Sequence, residues 1–226
     1  KLQIKNKMNF YSLNKKATNV SFKDAVIKGI APDRGLYFPE KITPLPKDLF
    51  ENISSLSNTE IAFKAIHQFV SDDINDDKLK SILEEVLNFD FPIVEINENV
   101  GTLELFHGPT LAFKDVGAGF MARCLGYLGK NITALEVNGT FDDCQNMVKT
   151  AFLDEEITTK KQLTSANSIN VARWLPQLFY FLFAYKQAKS KGKEIVFSIP
   201  SGNFGNICAG IMAQQLGMPV KHFIAA

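Results

Sequence analysis

Close to residue 200 the chain changes character in a way that few folds accommodate. The run Glu194-Ile-Val-Phe-Ser-Ile199 has the nearly unbroken apolar content of a buried strand, and it breaks at Pro200. Ser201-Gly202-Asn203-Phe204-Gly205-Asn206 follows, and an apolar helical stretch from Ile207 to Leu216 begins at once. A strand of this kind belongs in a parallel sheet. A helix that starts immediately after it aims unsatisfied backbone N–H groups at whatever lies beyond the strand end, an arrangement suited to phosphate.

The rest of the chain divides in two by pattern. Ser21-Phe-Lys-Asp24 opens a short helix that Gly29 ends, and Ala31-Pro-Asp-Arg-Gly35 reads as a turn into Leu36-Tyr-Phe38. Thr59 to Val70 and Asp76 to Leu87 are helical, the latter with Leu79, Ile82, Leu83, Val86 and Leu87 on one face. Residues 1–90 therefore predict a small, mostly helical unit. From Phe91 the spacing predicts strands at Ile93–Ile96, Thr102–Phe106, Ile132–Val137, Ile195–Ile199 and His222–Ala225. Helices are expected near 116–128, 141–153, 168–189 and 206–216. Such alternation predicts an α/β unit over residues 91–226, a parallel sheet covered by helices on both faces. The chain stops at Ala226 directly after an expected strand and reads as incomplete.

Bulk properties exclude several function classes. A net charge of +1 gives no basic surface for nucleic acid. The most apolar segment, Trp174 to Tyr185, is interrupted at Pro176 and Gln177 and is shorter than the roughly 20 residues of a membrane span. Cys124, Cys144 and Cys208 are widely spaced and odd in number, which argues against a disulfide framework or a zinc site and for a reducing, cytoplasmic setting. No metal-ligand cluster and no His–carboxylate–Ser order stands out.

Three segments carry candidate chemistry. In His107-Gly-Pro-Thr-Leu-Ala-Phe-Lys114-Asp115 a lone lysine sits in an apolar turn before a helix. An apolar surround favours a free amine, and a free amine condenses with a carbonyl. In the loop Ser201 to Asn206, Gly202 and Gly205 can take positive φ and let the backbone approach an oxyanion, and Asn203 and Asn206 offer amide donors. A plain strand-to-helix turn is the alternative. The loop matches neither G-x-G-x-x-G nor G-x-x-x-x-G-K-[ST], which disfavours dinucleotides and nucleoside triphosphates. Thr164 to Asn170 carries five hydrogen-bonding side chains ahead of Arg173, a set fit for a second phosphate or, alternatively, a helix-capping cluster. A phosphate cradle together with a lone lysine points to pyridoxal phosphate, held at both ends.

Taken together these segments resemble the threonine synthases, pyridoxal-phosphate enzymes of fold type II (the tryptophan-synthase-β-like group). Tyr11-Ser, Val20-Ser-Phe-Lys-Asp-Ala-Val and Gly29-Ile-Ala-Pro-Asp-x-Gly-Leu-Tyr-Phe-Pro-Glu40 resemble that family's opening domain. Leu105-Phe-His-Gly-Pro-Thr-Leu-Ala-Phe-Lys-Asp115 matches its cofactor-lysine motif, Ser201-Gly-Asn-Phe-Gly-Asn206 its cofactor-phosphate loop, and Asn167-Ser-Ile-Asn-x-Ala-Arg173 an active-site segment. The resemblance implies a Schiff base on Lys114 and cofactor binding by Ser201, Gly202, Asn203, Phe204, Gly205 and Asn206. It implies substrate binding by Asn167, Ser168, Asn170 and Arg173. The implied reaction converts O-phospho-L-homoserine and water to L-threonine and phosphate, in a monomer or homodimer. Related readings are a threonine or serine dehydratase and a catalytically silent phosphate-ligand-binding relative. The sequence departs from the family in three places. A Ser-Gly-Asp-Thr-Gly-type loop for the substrate carboxylate is absent where Lys130 meets Asn131. The family's C-terminal part, which contacts the cofactor ring nitrogen, would lie beyond Ala226. Gly119 stands where bacterial members often carry a basic residue.

Overall fold

Capping chemistry fixes the helix starts of the N-terminal part. The computed structural model describes residues 7–129, 137–161, 163–164, 167–202 and 204–226. Ser21 Oγ accepts from the Asp24 N–H at 3.1 Å and starts α1 (Phe22–Lys28), which ends at Gly29 with φ 71°. Ser57 and Glu60 form a reciprocal capping box ahead of α3 (Asn58–Val70), the segment after α2 (Lys47–Glu51). Asn75 caps α4 (Asp76–Val86), whose buried face is Leu79, Ile82, Leu83 and Val86, as the periodicity predicts. The strands β1 (Phe10–Ser12) and β2 (Tyr37–Pro39) pair antiparallel, Ser12 opposite Tyr37. The turn before β2 is tied by Asp33, which accepts from Ser12 Oγ at 2.6 Å, Lys16 N at 2.9 Å and Gly35 N at 3.0 Å.

Beyond Phe91 the elements are β3 (Ile93–Glu95), β4 (Gly101–Leu103), α5 (Asp115–Tyr127), α6 (Phe141–Leu153), α7 (Glu155–Lys160), α8 (Val171–Trp174), α9 (Leu178–Ala188), β5 (Val196–Ile199), α10 (Gly205–Gln215) and β6 (His222–Ala225). Two expectations change here. The first two strands form an antiparallel hairpin, Ile93 opposite Leu103, outside any parallel sheet. The polar turn Asn97–Val100 closes it, with the Val100 N–H donating to Asn97 Oδ1 at 3.0 Å. The helix expected over 168–189 is split by a 3-10 turn at Leu175–Gln177, because Pro176 has no N–H to continue the α ladder. Among the described residues the parallel core is the pair β5–β6, Val196 opposite His222 and Ile199 opposite Ala225. The expected strand Ile132–Val137 lies, except for Val137, outside the described residues.

Helix α9 is buried from Leu178 to Tyr185 on every side, which explains its all-round apolar sequence. No described helix is long and apolar enough to cross a membrane. One apolar core runs from Phe10 to Met218 and crosses the change of pattern at residue 90. Phe38 stacks on Trp174 with centroids 5.4 Å apart, and the Leu45 N–H donates to the Leu216 carbonyl at 2.8 Å. Both α5 and α10 pack against α8 and the 3-10 turn, so this central segment joins the two helices that begin at the lysine and at the glycine loop.

Candidate active site

Lys114 is the residue immediately ahead of α5, half-buried, with its ammonium 5.6 Å from the centroid of the Phe113 ring. That is a cation–π contact rather than a purely aliphatic surround. The turn leading to it is built tightly. Thr110 donates both its N–H (3.0 Å) and its hydroxyl to the Asp115 carboxylate, folding the turn back on the helix start. Gly108 leaves room for this, since a Cβ there would lie 2.4 Å from Asp115 Oδ2. Leu111, at φ 57° and 73% exposed, sits at the apex. Tyr180 of α9 reaches up from the core and donates its hydroxyl to the Phe113 carbonyl. His107, just upstream, pairs with Glu104 at 2.8 Å.

The third sequence cluster lies behind this turn. Gly117 of α5 abuts α8 so closely that an added Cβ would fall 2.3 Å from the Arg173 carbonyl oxygen. The Arg173 side chain is half-buried. Burial draws its guanidinium below its ordinary value, while the Tyr180 hydroxyl and the Asp115 carboxylate act to hold it up. Arg173 therefore shares the electrostatic neighbourhood of Asp115, the residue after the lysine. Asn170, expected to bind substrate, is fully buried and spent on the fold. Its Oδ1 caps α8 through the Ala172 N–H at 3.0 Å, and its Nδ2 donates to the Val26 carbonyl at 2.9 Å. Ser168 donates to Asn167 Oδ1 from its N–H (2.7 Å) and its hydroxyl (3.3 Å), at an exposed position.

The glycine loop begins at the end of β5, where the Ser201 N–H donates to the carbonyl of Ala226, the residue after β6, at 3.1 Å. Neither Gly202 nor Gly205 takes positive φ; Phe204 does, at 55°, and it precedes α10 without any side-chain cap. Added Cβ atoms at Gly202 and Gly205 would meet nothing within 4 Å. Neither left-handed backbone nor packing against described residues calls for glycine at these two places. Asn206 is consumed locally, its Nδ2 donating to the Pro200 carbonyl at 2.7 Å and its Oδ1 accepting from the Ile207 N–H at 2.9 Å. The backbone N–H groups of Gly202, Phe204, Gly205 and Asn206 have no acceptor among the described residues. A helix start presenting several such donors fits a phosphate dianion. Asn203 lies outside the described residues. A neighbouring apolar cleft of about 570 Å³ runs between Phe38, Ile42 and the α10 residues Ile207, Cys208 and Ile211, and neither Lys114 nor Arg173 lines it.

Residues 9–87 match the family model described as threonine synthase N terminus. The threonine synthase of Buchnera aphidicola subsp. Baizongia pistaciae is 34% identical over 275 residues, covering 97% of this chain and 64% of the relative. That of Escherichia coli strain K12 is 33% identical, with 97% and 64% covered. The pyridoxal-phosphate-bound crystal structure of threonine synthase from Brucella melitensis superposes with a TM-score of 0.86 at 29% identity, over 97% of this chain and 60% of that one. The Escherichia coli threonine synthase structure gives 0.81 at 32% identity, over 96% and 63%. The chain is similar to threonine synthases over nearly its whole length. It spans less than two thirds of the length of these relatives. The matched span of 275 residues also exceeds the 226 of this chain, so within the aligned region the relative carries residues that this chain lacks. The junction of Lys130 and Asn131, the first expected departure, includes residues outside those described. Gly119, the third, faces α4: a Cβ there would sit 3.1 Å from Val86 Cγ1, so a basic residue would start its path toward that helix. Tyr180, Thr110 and Gly117 carried no functional signal in the sequence, since a tyrosine in an apolar run, a turn threonine and a helix glycine each look structural.

Proposed function

We propose that the protein of which this chain is a part is a threonine synthase, a lyase of fold type II that converts O-phospho-L-homoserine and water to L-threonine and phosphate. The observation that carries the reading is the loop at 201–206, where four backbone amides have no acceptor among the described residues and two glycines face no described atoms, on the same central scaffold as the lysine turn. Pyridoxal phosphate fits this donor set. Gly202, Phe204, Gly205 and Asn206 would hold its phosphate through backbone N–H groups, aided by the Ser201 hydroxyl, and Lys114 would bond to its aldehyde carbon. Bound there, the cofactor supplies a carbonyl for the substrate amine and a ring that accepts electron density from the carbon beside it. The remaining work falls to this chain. Lys114, once released, is positioned to carry protons at Cα and Cβ of the substrate, a role typically contributing about 10²–10⁴-fold. Arg173 would offer a guanidinium fork to the substrate phosphate from beside Asp115, with Asn167 and Ser168 as further substrate contacts. We place the protein in the cytoplasm, where its three free cysteines stay reduced, as a monomer or homodimer.

The test pairs loading with turnover. The chain mixed with pyridoxal phosphate gains a visible absorbance band that the Lys114→Ala variant lacks, and the full-length protein releases phosphate from O-phospho-L-homoserine. Arg173→Ala keeps the band and raises KM by about tenfold or more, the loss of a charged hydrogen-bonded contact. A band of equal strength in Lys114→Ala overturns the assignment of the lysine. Full-length protein that shows the band yet releases no phosphate favours the silent relative.

A further inference from the structure

The lysine turn has one tie that comes from the far side of the core. The Tyr180 hydroxyl donates to the carbonyl of Phe113, the residue before Lys114. One buried phenol on α9 therefore holds the backbone from which the lysine extends. Tyr180 is only 5% exposed, and its ring packs against Phe91 with centroids 5.7 Å apart, so the hydroxyl is carried on a fixed base. Burial pushes the phenol well above its ordinary range, so it remains a proton donor at neutral pH. The Thr110–Asp115 tie, by contrast, is exposed.

We infer that Tyr180 is the positioning residue of Lys114, holding the backbone from which the amine reaches the cofactor aldehyde. The inference rests on the reading of Lys114 as the cofactor lysine. Without the hydroxyl, the Phe113 carbonyl loses its buried partner, the turn gains freedom, and the amine is less often in place.

The experiment uses the whole chain with pyridoxal phosphate as probe. The lysine nitrogen adds to the aldehyde carbon, water leaves, and borohydride then delivers hydride to the carbon–nitrogen double bond, fixing the adduct for peptide mapping. Trapping at Lys114 is compared with trapping at Lys28, an exposed lysine on α1. In the unaltered chain Lys114 is trapped in preference. In Tyr180→Phe, which keeps the ring, that preference falls about tenfold, the size expected when a buried backbone group loses its partner. A purely structural phenol would lower the melting temperature and leave the ratio unchanged, and that result overturns the inference while the reading of Lys114 stands. No preference for Lys114 in the unaltered chain overturns both. Should Tyr180→Phe not fold in buffer, the comparison is made in trimethylamine N-oxide, which strengthens burial; a variant still unfolded there assigns the phenol to stability alone and also overturns the inference.

Discussion

Gly117 shows how a single missing methyl sets a site. The carbonyl of Arg173 occupies the space where a Cβ would stand, 2.3 Å away, and the obstacle is backbone that no rotamer change can clear. Gly117→Ala must therefore push α8 from α5, and we expect a loss of about 1–3 kcal/mol, the usual range for overpacking. Urea unfolding is the measurement, with a lowered midpoint at constant slope; a midpoint equal to that of the unaltered chain would show that the helices separate without penalty. At this scale the sequence was legible where chemistry and context coincide. A lone lysine ahead of a helix and a glycine loop after a strand announce themselves. The left-handed residue did not, because φ 55° falls on Phe204 and leaves both adjoining glycines in ordinary conformations. Tyr180 was hidden for a related reason: within Leu178-Phe-Tyr-Phe-Leu-Phe183 it reads as one more core ring, and only the fold reveals where the hydroxyl ends.

Among elements, α8 depends most on one side chain. Asn170 caps it and simultaneously binds α1 through the Val26 carbonyl, so Asn170→Ala removes a cap and strands a buried acceptor. A cap is worth about 1 kcal/mol and an orphaned buried group about 1–3, giving an expected loss of about 2–4 kcal/mol. Calorimetry would read this as a fall in Tm; a variant melting with the unaltered chain would mean that water replaces both bonds. Helix existence was readable from period and caps throughout, as the buried faces of α3 and α4 illustrate. Strand direction was not. Apolar runs carry no mark of parallel or antiparallel pairing, and the polar residues between Glu95 and Gly101 are the feature that made a hairpin of β3 and β4. Pro176 was visible, and its result, a 3-10 joint between two α segments, follows from the missing N–H.

For the molecule as a whole, acidity is the sharpest probe. The carboxyls of Asp33, Glu60, Glu85 and Asp143 all lie below their ordinary values, drawn down chiefly by hydrogen bonds from Ser12, Ser57, Arg123 and Thr140 respectively. A group whose folded value is depressed stabilises the fold above its unfolded value and ceases to do so as pH falls through the folded one. Tm is therefore expected to hold near neutrality and to decline below about pH 4, where free carboxyls begin to protonate. Scanning calorimetry from pH 7 to pH 3 checks this, and an unchanged Tm at the acid end would remove these hydrogen-bonded carboxylates from the account. The division of the sequence at residue 90 was legible as a change of pattern, whereas the core that ignores this division was not, since packing across it depends on distant pairs such as Phe38 with Trp174.

That shared interior also limits how such a chain can be reshuffled. A version starting near Phe91 would bare the Trp174 indole that Phe38 now shields, leave the Asn170 amide searching for an oxygen, and uncover the α9 flank that α3 lines. The first 90 residues behave as a wall of that interior rather than a porch. Any substitute fused in their place would have to bring its own aromatic plate and its own carbonyl to the same two spots.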